Sequence, residues 1–180
     1  MSPNDPISVR PAALQDKNAL AHLWQALVDY HTQLDERLPH ATAGAATRYA
    51  ERLVHRAQRG TFTQAYVAEV AGQVVGYVLG SVLDLHPDLF EQRRAGFIAD
   101  LFVLPAYRRR GIARRLVAAL NAWFAEQGMR IVEWNVAAAN VEGLRFWQAL
   151  GGQPIMVQMR APLDDHTEKS AVPSAEEDAE

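Results

Sequence analysis

The sequence predicts an α/β (α+β) fold: one domain whose mixed, mostly antiparallel sheet of six to seven strands carries about four helices on its faces. Three observations predict it. The 180 residues are 49% hydrophobic and 22% charged, which suits a single buried core and excludes a disordered chain, a collagen or a coiled-coil rod. Short β-rich runs are separated by turn residues. Between those runs lie apolar stripes of helical period with their own start and stop signals.

Ile7 to Pro11 reads as a short first strand, with Ile7 and Val9 on one face. Asp16 is placed to cap the helix that follows, in which Leu20, Leu23, Trp24, Leu27 and His31 recur at spacings of three and four. Asp35 to Gly44 is loop-like. A second helix spans about Ala45 to Ala57, with Tyr49, Leu53 and Val54 as its apolar positions, and Gly60 ends it. Thr61 to Val70 and Gln73 to Leu83 form a hairpin about Ala71-Gly72. Leu85 to Arg94 is a longer connection. Gly96 to Leu104 is a nearly all-apolar strand suited to a central position, and Pro105 stops it. Arg110 to Glu126 is a strong helix with Ile112, Leu116, Leu120 and Phe124 in one stripe, ended by Gly128. Ile131 to Val136 is the next strand, Val141 to Leu150 a short helix preceded by Asn140, and Ile155 to Met159 a last short strand.

Composition narrows the function classes. With no cysteine, the chain has no disulfide framework, no Cys-ligated zinc, no iron–sulfur cluster and no Cys nucleophile; no metal is expected. No stretch approaches the apolar length of a membrane span and no signal peptide is expected, so the predicted location is cytoplasmic. The net charge of −3 averages two unlike parts. Residues 164–180 hold seven acids and one lysine, and read as an acidic, disordered tail with a net charge of −6. The domain, residues 1–163, carries +3.

Five of that domain's arginines, Arg108, Arg109, Arg110, Arg114 and Arg115, lie between a buried strand and the start of a long helix, around Gly111. The first turn of a helix leaves N–H groups without intrahelical partners, and the helix dipole adds partial positive charge there. Gly111 and Ala113 let a ligand approach the backbone closely. Such a turn cradles phosphates. It is neither a Walker loop nor a dinucleotide fingerprint.

Val103-x-Pro105-x-Tyr107-Arg108-x-x-Gly111-Ile112-Ala113 resembles the acetyl-CoA signature of the GNAT (Gcn5-related) N-acetyltransferases. Asn140-x-x-Gly143-x-x-Phe146-Trp147-x-x-x-Gly151 is similar to the second block of that family, and the likeness covers roughly Ile7 to Leu163. The resemblance implies a cofactor, acetyl-CoA, entering where the strands at 96–104 and 131–136 splay apart. Its pyrophosphate would lie on the turn Arg108, Arg109, Arg110, Gly111, Ile112 and Ala113. Its pantetheine would pair with Leu101, Phe102 and Val103, and a backbone N–H at Phe102 or Val103 would polarise the thioester carbonyl. Asn140 would hydrogen-bond the pantetheine, besides capping its helix, and Trp147 would form core or a flat wall. Many members carry a tyrosine where Trp147 stands, whose hydroxyl protonates the leaving thiolate; an indole N–H is not a practical acid. Gly152 stands where a phenylalanine is usual.

Attack on a thioester needs a neutral amine, hence a base. Asp100 is the first candidate, because a carboxylate within an apolar strand is costly without work or a partner. It alternates with Ile98 and Phe102. Its other reading is an acid paired with an arginine or a capping donor. Glu69, Tyr30, His31 and His86 are weaker candidates. The function expected is N-acetyl transfer from acetyl-CoA to a primary amine by direct attack in a ternary complex. Its alternatives are a non-catalytic acyl-CoA-binding module and a nucleic-acid-binding domain, the latter lacking interleaved aromatics. Acceptor-lining segments at 30–48 and 83–94 offer Asp29, Asp35, Glu36, Asp84 and Asp88 but also Arg37, Arg48, Arg93 and Arg94, so polyamine, aminoglycoside, amino acid and protein amine all stay open. A homodimer is implied by resemblance alone.

Overall fold

The β-rich runs pair in sequence order. In the computed structural model, which describes residues 5–84 and 94–161, β1 (Ile7–Pro11), β2 (Thr63–Val70), β3 (Gln73–Asp84) and β4 (Arg94–Val103) form successive antiparallel pairs. β5 (Val132–Trp134) then joins β4 in parallel, giving one mixed sheet. Ala71 and Gly72, with φ of 48° and 78°, supply the two left-handed positions that a tight hairpin between β2 and β3 requires. Four α-helices are present among the described residues: α1 (Lys17–Leu34), α2 (Ala45–Arg59), α3 (Ile112–Glu126) and α4 (Val141–Gln148).

Helices α1 and α2 cover one face of the sheet, where Leu20, Leu23, Leu27, Leu53 and Val54 bury against Val67, Tyr77 and Phe102. The stripe Ile112, Leu116, Leu120 and Phe124 of α3 covers the other. A Cβ at Gly80 or Gly96 would come within 2.8 Å of the Phe124 ring, so only glycine lets α3 seat this closely on β3 and β4.

β4 does not keep a strict alternation. Leu79 pairs with Asp100 but Gly80 pairs with Ile98, so Ala99 is an extra residue on β4. Gly80 and Gly96 face α3, and so does Ile98. Beyond the bulge Asp100 and Phe102, opposite Leu79 and Tyr77, face α1 and α2. The expected alternation of Asp100 with Ile98 is thus corrected, while that with Phe102 holds. Pairing with β5 ends at the same place. It runs from Gly96–Val132 to Ile98–Trp134, and β4 continues to Val103.

Two further expectations change. Five strands, not six to seven, are found among the described residues. Ile155 to Met159 has no strand partner there, and Ile155, Met156, Val157 and Met159 are exposed; an apolar run becomes a strand only when a neighbour takes its hydrogen bonds. Asp16 does not cap α1 with its side chain. Its buried carboxylate instead takes two hydrogen bonds from Arg10, at 2.7 and 2.9 Å, and one from the Ala13 N–H at 2.8 Å. Arg10 also donates to Glu69. The described residues from Arg145 to Ala161 belong to a second compact unit, with the end of α4, a left-handed Gly151 and a run after it without regular secondary structure. No helix among the described residues is long and apolar enough to cross a membrane. The acidic run 164–180 and His86 lie outside the described residues.

Burial works to raise the Asp16 pKa, but the hydrogen bonds and charge of Arg10 and the Ala13 N–H prevail and hold it below its ordinary value. A carboxyl depressed in the fold contributes stability above its unfolded pKa, and that contribution is lost as pH falls through the folded one. Asp16→Asn is therefore expected to cost about 1–3 kcal/mol at neutral pH. The deficit should shrink below about pH 4, as the wild-type carboxyl protonates. Denaturant unfolding across pH 3 to 7 measures it.

Candidate functional site

The site grows from the C-terminal end of β4. After Val103 the chain makes a 3-10 turn, Pro105–Tyr107, where Pro105 supplies no N–H and so ends the ladder. Tyr107 is buried and its hydroxyl donates to Gln73 Oε1 at 3.0 Å, tying the turn to the β2–β3 hairpin. Arg109 (φ 64°) and Gly111 (φ 77°) both take left-handed backbone, which bends the chain sharply into α3. A Cβ at Gly111 would meet nothing within 4 Å, so the glycine is needed for its conformation and leaves an open surface. The Arg115 N–H makes the first helical bond, to Gly111 O at 3.1 Å. The N–H groups of Ile112, Ala113 and Arg114 precede it and have no intrahelical acceptor, the ordinary state of a helix start.

The arginines divide. Arg108 turns inward: its Nε donates to Val103 O at 3.1 Å, and its guanidinium carbon lies 5.0 Å from the Tyr30 ring centre and 5.7 Å from that of Phe102. Arg110 donates to Asp5 O at 3.4 Å and Arg115 to Ile7 O at 3.1 Å. Side chains of Arg109 and Arg114 are exposed. All five charges remain around the helix start, but three of the five arginines are bonded to backbone carbonyls.

Backbone direction on β4 follows from one bond. Leu104 N–H donates to Val75 O, towards β3. Alternation therefore turns the Phe102 N–H towards β3 and those of Leu101 and Val103 to the opposite edge, beyond the end of the β5 pairing. Val103, like Leu101, carries a donor on that edge, and Phe102 does not.

On the α1–α2 face stands Asp100. Tyr49 of α2 and Tyr77 of β3 both donate to its Oδ2, the latter at 3.1 Å. Oδ1 takes no hydrogen bond among the described residues. Burial pushes the carboxyl above its ordinary value, opposed by the two hydroxyls and by the nearby His31. Both phenols are pushed upward too, chiefly by burial and then by the Asp100 charge, so they stay protonated as donors. His31 is lowered by burial, with Asp100 acting the other way. Trp24 stacks on Tyr49 at 4.8 Å and steadies the hydroxyl's approach. Asp100 is paired with tyrosines, not with an arginine.

Asn140 caps α4: its Oδ1 accepts from Gly143 N–H at 2.8 Å, and also from the Tyr30 hydroxyl at 3.3 Å. Trp147, in the second unit, is half-buried and lies edge-on to Phe146 at 5.0 Å. Glu69 is bound to Arg10 at 3.0 Å. That pair helps line a hollow of about 580 Å³ with Asp16, His22, Gln73 and Leu104; its carboxylates and guanidinium satisfy one another, which makes it a structural ion cluster. Asp35 is bound to Arg37 and Asp29 to Gln25, so two acids expected to draw a cationic amine are already engaged.

Sequence reasoning missed Tyr49, placed among apolar helix positions, and Tyr77. Their signal was the hydroxyl, which needs a partner wherever the ring is buried.

The family model described as acetyltransferase (GNAT) matches residues 20–151. Aminoglycoside N(6')-acetyltransferase type 1 of Salmonella typhimurium is 28% identical over 86 residues, 48% of this chain and 59% of that protein. An uncharacterized N-acetyltransferase of Archaeoglobus fulgidus is 32% identical over 81 residues, 45% of this chain and 54% of that one. The chain thus spans a little over half the length of these curated relatives. Among solved structures, aminoglycoside N-acetyltransferase AAC(6')-Iy in complex with CoA matches at a TM-score of 0.68 and 19% identity, over 89% of this chain and 97% of that one. A mutant of the BH1408 protein from Bacillus halodurans matches at 0.75 and 22%, over 87% and 99%. At such identities these structures share the fold.

Since the Tyr49 hydroxyl lowers the Asp100 pKa, Tyr49→Phe is expected to raise it further. An NMR titration of the carboxyl carbon reads this directly; an unmoved titration would mean that Tyr49 does not bear on Asp100.

Proposed function

The chain belongs to the acetyltransferase (GNAT) family, and on that premise we propose that it is an acetyl-CoA-dependent N-acetyltransferase acting on a primary amine. The observation that carries the proposal is the end of the β4–β5 pairing at Ile98, with β4 running on towards a turn that opens a helix start. Pantetheine pairs with the free edge at Leu101 and Val103 in the manner of an added strand. The pyrophosphate takes the N–H groups of Gly111, Ile112 and Ala113 and the dipole of α3, with Arg109 and Arg110 beside it. Asn140 presents its Nδ2 to a pantetheine carbonyl.

The amine nitrogen attacks the thioester carbonyl carbon; the C–N bond forms as the C–S bond breaks, and CoA leaves as the thiolate. Val103 N–H supports the developing oxyanion. Asp100 takes the amine's proton on Oδ1, directly or through water, while Tyr49 and Tyr77 fix Oδ2. Its raised pKa makes it a better base than an exposed aspartate. Trp147 supplies no acid, so the thiolate takes its proton from solvent. The free-edge N–H favours Val103 over Phe102 as polarising group. Aminoglycosides come first among acceptors to be tried, alongside polyamines, amino acids and protein amines, because a relative bears that activity in its name.

An acetyl-CoA consumption screen over an amine library, read by thiol release, tests the reading. Turnover with one amine class is expected; acetyl-CoA binding without turnover of any amine would leave only a binding module. Gly111→Glu, which puts bulk and negative charge on the turn, should abolish acetyl-CoA binding by calorimetry, whereas unchanged affinity would sink the cofactor site. Asp100→Asn should lower kcat about 100-fold or more at neutral pH with acetyl-CoA affinity kept. A carboxyl raised in the fold weighs against stability above its unfolded pKa, so that variant should unfold no earlier than wild type. Wild-type turnover should rise with pH through the raised Asp100 pKa, and the variant should lose that limb.

A further inference from the structure

Tyr30 touches both Arg108, bonded to the end of β4, and Asn140, at the start of α4. Its ring carries the Arg108 guanidinium at 5.0 Å, and Arg108 Nε holds the Val103 carbonyl at 3.1 Å. Its hydroxyl donates to Asn140 Oδ1 at 3.3 Å. That oxygen also accepts from Gly143 N–H, so both of its lone pairs are engaged. A carboxamide flipped the other way would set its NH2 against the Gly143 N–H, a donor that cannot accept, and would forfeit the bond that the Tyr30 hydroxyl donates. The flip state is therefore fixed, with Nδ2 and its two hydrogens left as donors. Gly143 closes the box: a Cβ there would lie 2.6 Å from Asn140 Nδ2.

We propose that Tyr30 is a positioning residue of the acetyl-CoA site, setting the orientation of the Asn140 carboxamide through its hydroxyl and that of the Val103 peptide through Arg108. This rests on the reading of the chain as an acetyl-CoA enzyme. It gives Arg108 a role different from that of a phosphate ligand. The guanidinium lies over two aromatic rings and against a backbone carbonyl, a cation–π and hydrogen-bonded seat that fixes the end of β4. One side chain on α1 thus joins the strand that would pair with pantetheine to the residue that would donate to it.

Calorimetry of acetyl-CoA binding to wild type, Tyr30→Phe, Asn140→Ser and the double variant tests this. Tyr30→Phe keeps the ring under Arg108 and removes only the hydroxyl, so it should fold as wild type and bind acetyl-CoA about 3- to 10-fold more weakly, the weight of one hydrogen bond. In Asn140→Ser the hydroxyl of Tyr30 has lost its acceptor, so adding Tyr30→Phe should weaken binding no further. A purely structural tyrosine would not produce that coupling. Tyr30→Phe binding as tightly as wild type, or two effects that multiply, would overturn the proposal. Wild type failing to bind acetyl-CoA would overturn the underlying function instead, which keeps the two failures apart.

Discussion

At Ala99 the central strand holds one residue more than β3 opposite it, and the site's geometry follows from that insertion. A bulge leaves one residue out of the ladder, bends the strand and reverses which face its later side chains use. Before it, Gly96 and Ile98 face α3 and pair with β5. After it, Asp100 and Phe102 face α1 and α2, and the β5 pairing has ended. Were Ala99 paired in a regular ladder instead of left out of it, Asp100 would share the Ile98 face, on the Phe124 side, away from Tyr49 and Tyr77. One insertion therefore opens a backbone edge and delivers a carboxylate to the opposite helices.

The carboxylate is affordable there because of what surrounds it. An ionised acid in an apolar setting costs several kcal/mol unless hydrogen-bonded. Two phenols, both kept protonated, donate to one oxygen and offset part of that cost, while the other oxygen stays open to a proton. Burial still prevails, so the group is a stronger base than a surface aspartate. Asp16 shows the opposite balance with the same side chain. A guanidinium and a backbone N–H outweigh burial there, and the group serves stability.

Much of the fold was legible in the sequence, because its signals are local. Apolar alternation and helical stripes set four antiparallel strands and α1 to α3 within a few residues. Asp100 was legible through its cost, and Gly111 through its place before a helix. What could not be read depends on pairing or direction. The bulge at Ala99 exists only against β3, and nothing in the run Phe97-Ile98-Ala99-Asp100 marks it. Ile155 to Met159 has the composition of a strand, yet composition supplies no neighbour. The count of five arginines was right, but three point to carbonyls, which no spacing rule gives. Tyr49 was seen as an apolar position because its ring behaves as one; its hydroxyl was the part that mattered.

The direction of the β4 peptide groups can be read amide by amide. In a titration with acetyl-CoA followed by NMR hydrogen exchange, the amides of Leu101 and Val103 should be exposed in the free protein and become protected on binding. Phe102, already bonded towards β3, should be protected throughout. Protection gained at Phe102, or none at Leu101 and Val103, would contradict a cofactor that pairs with the free edge of β4.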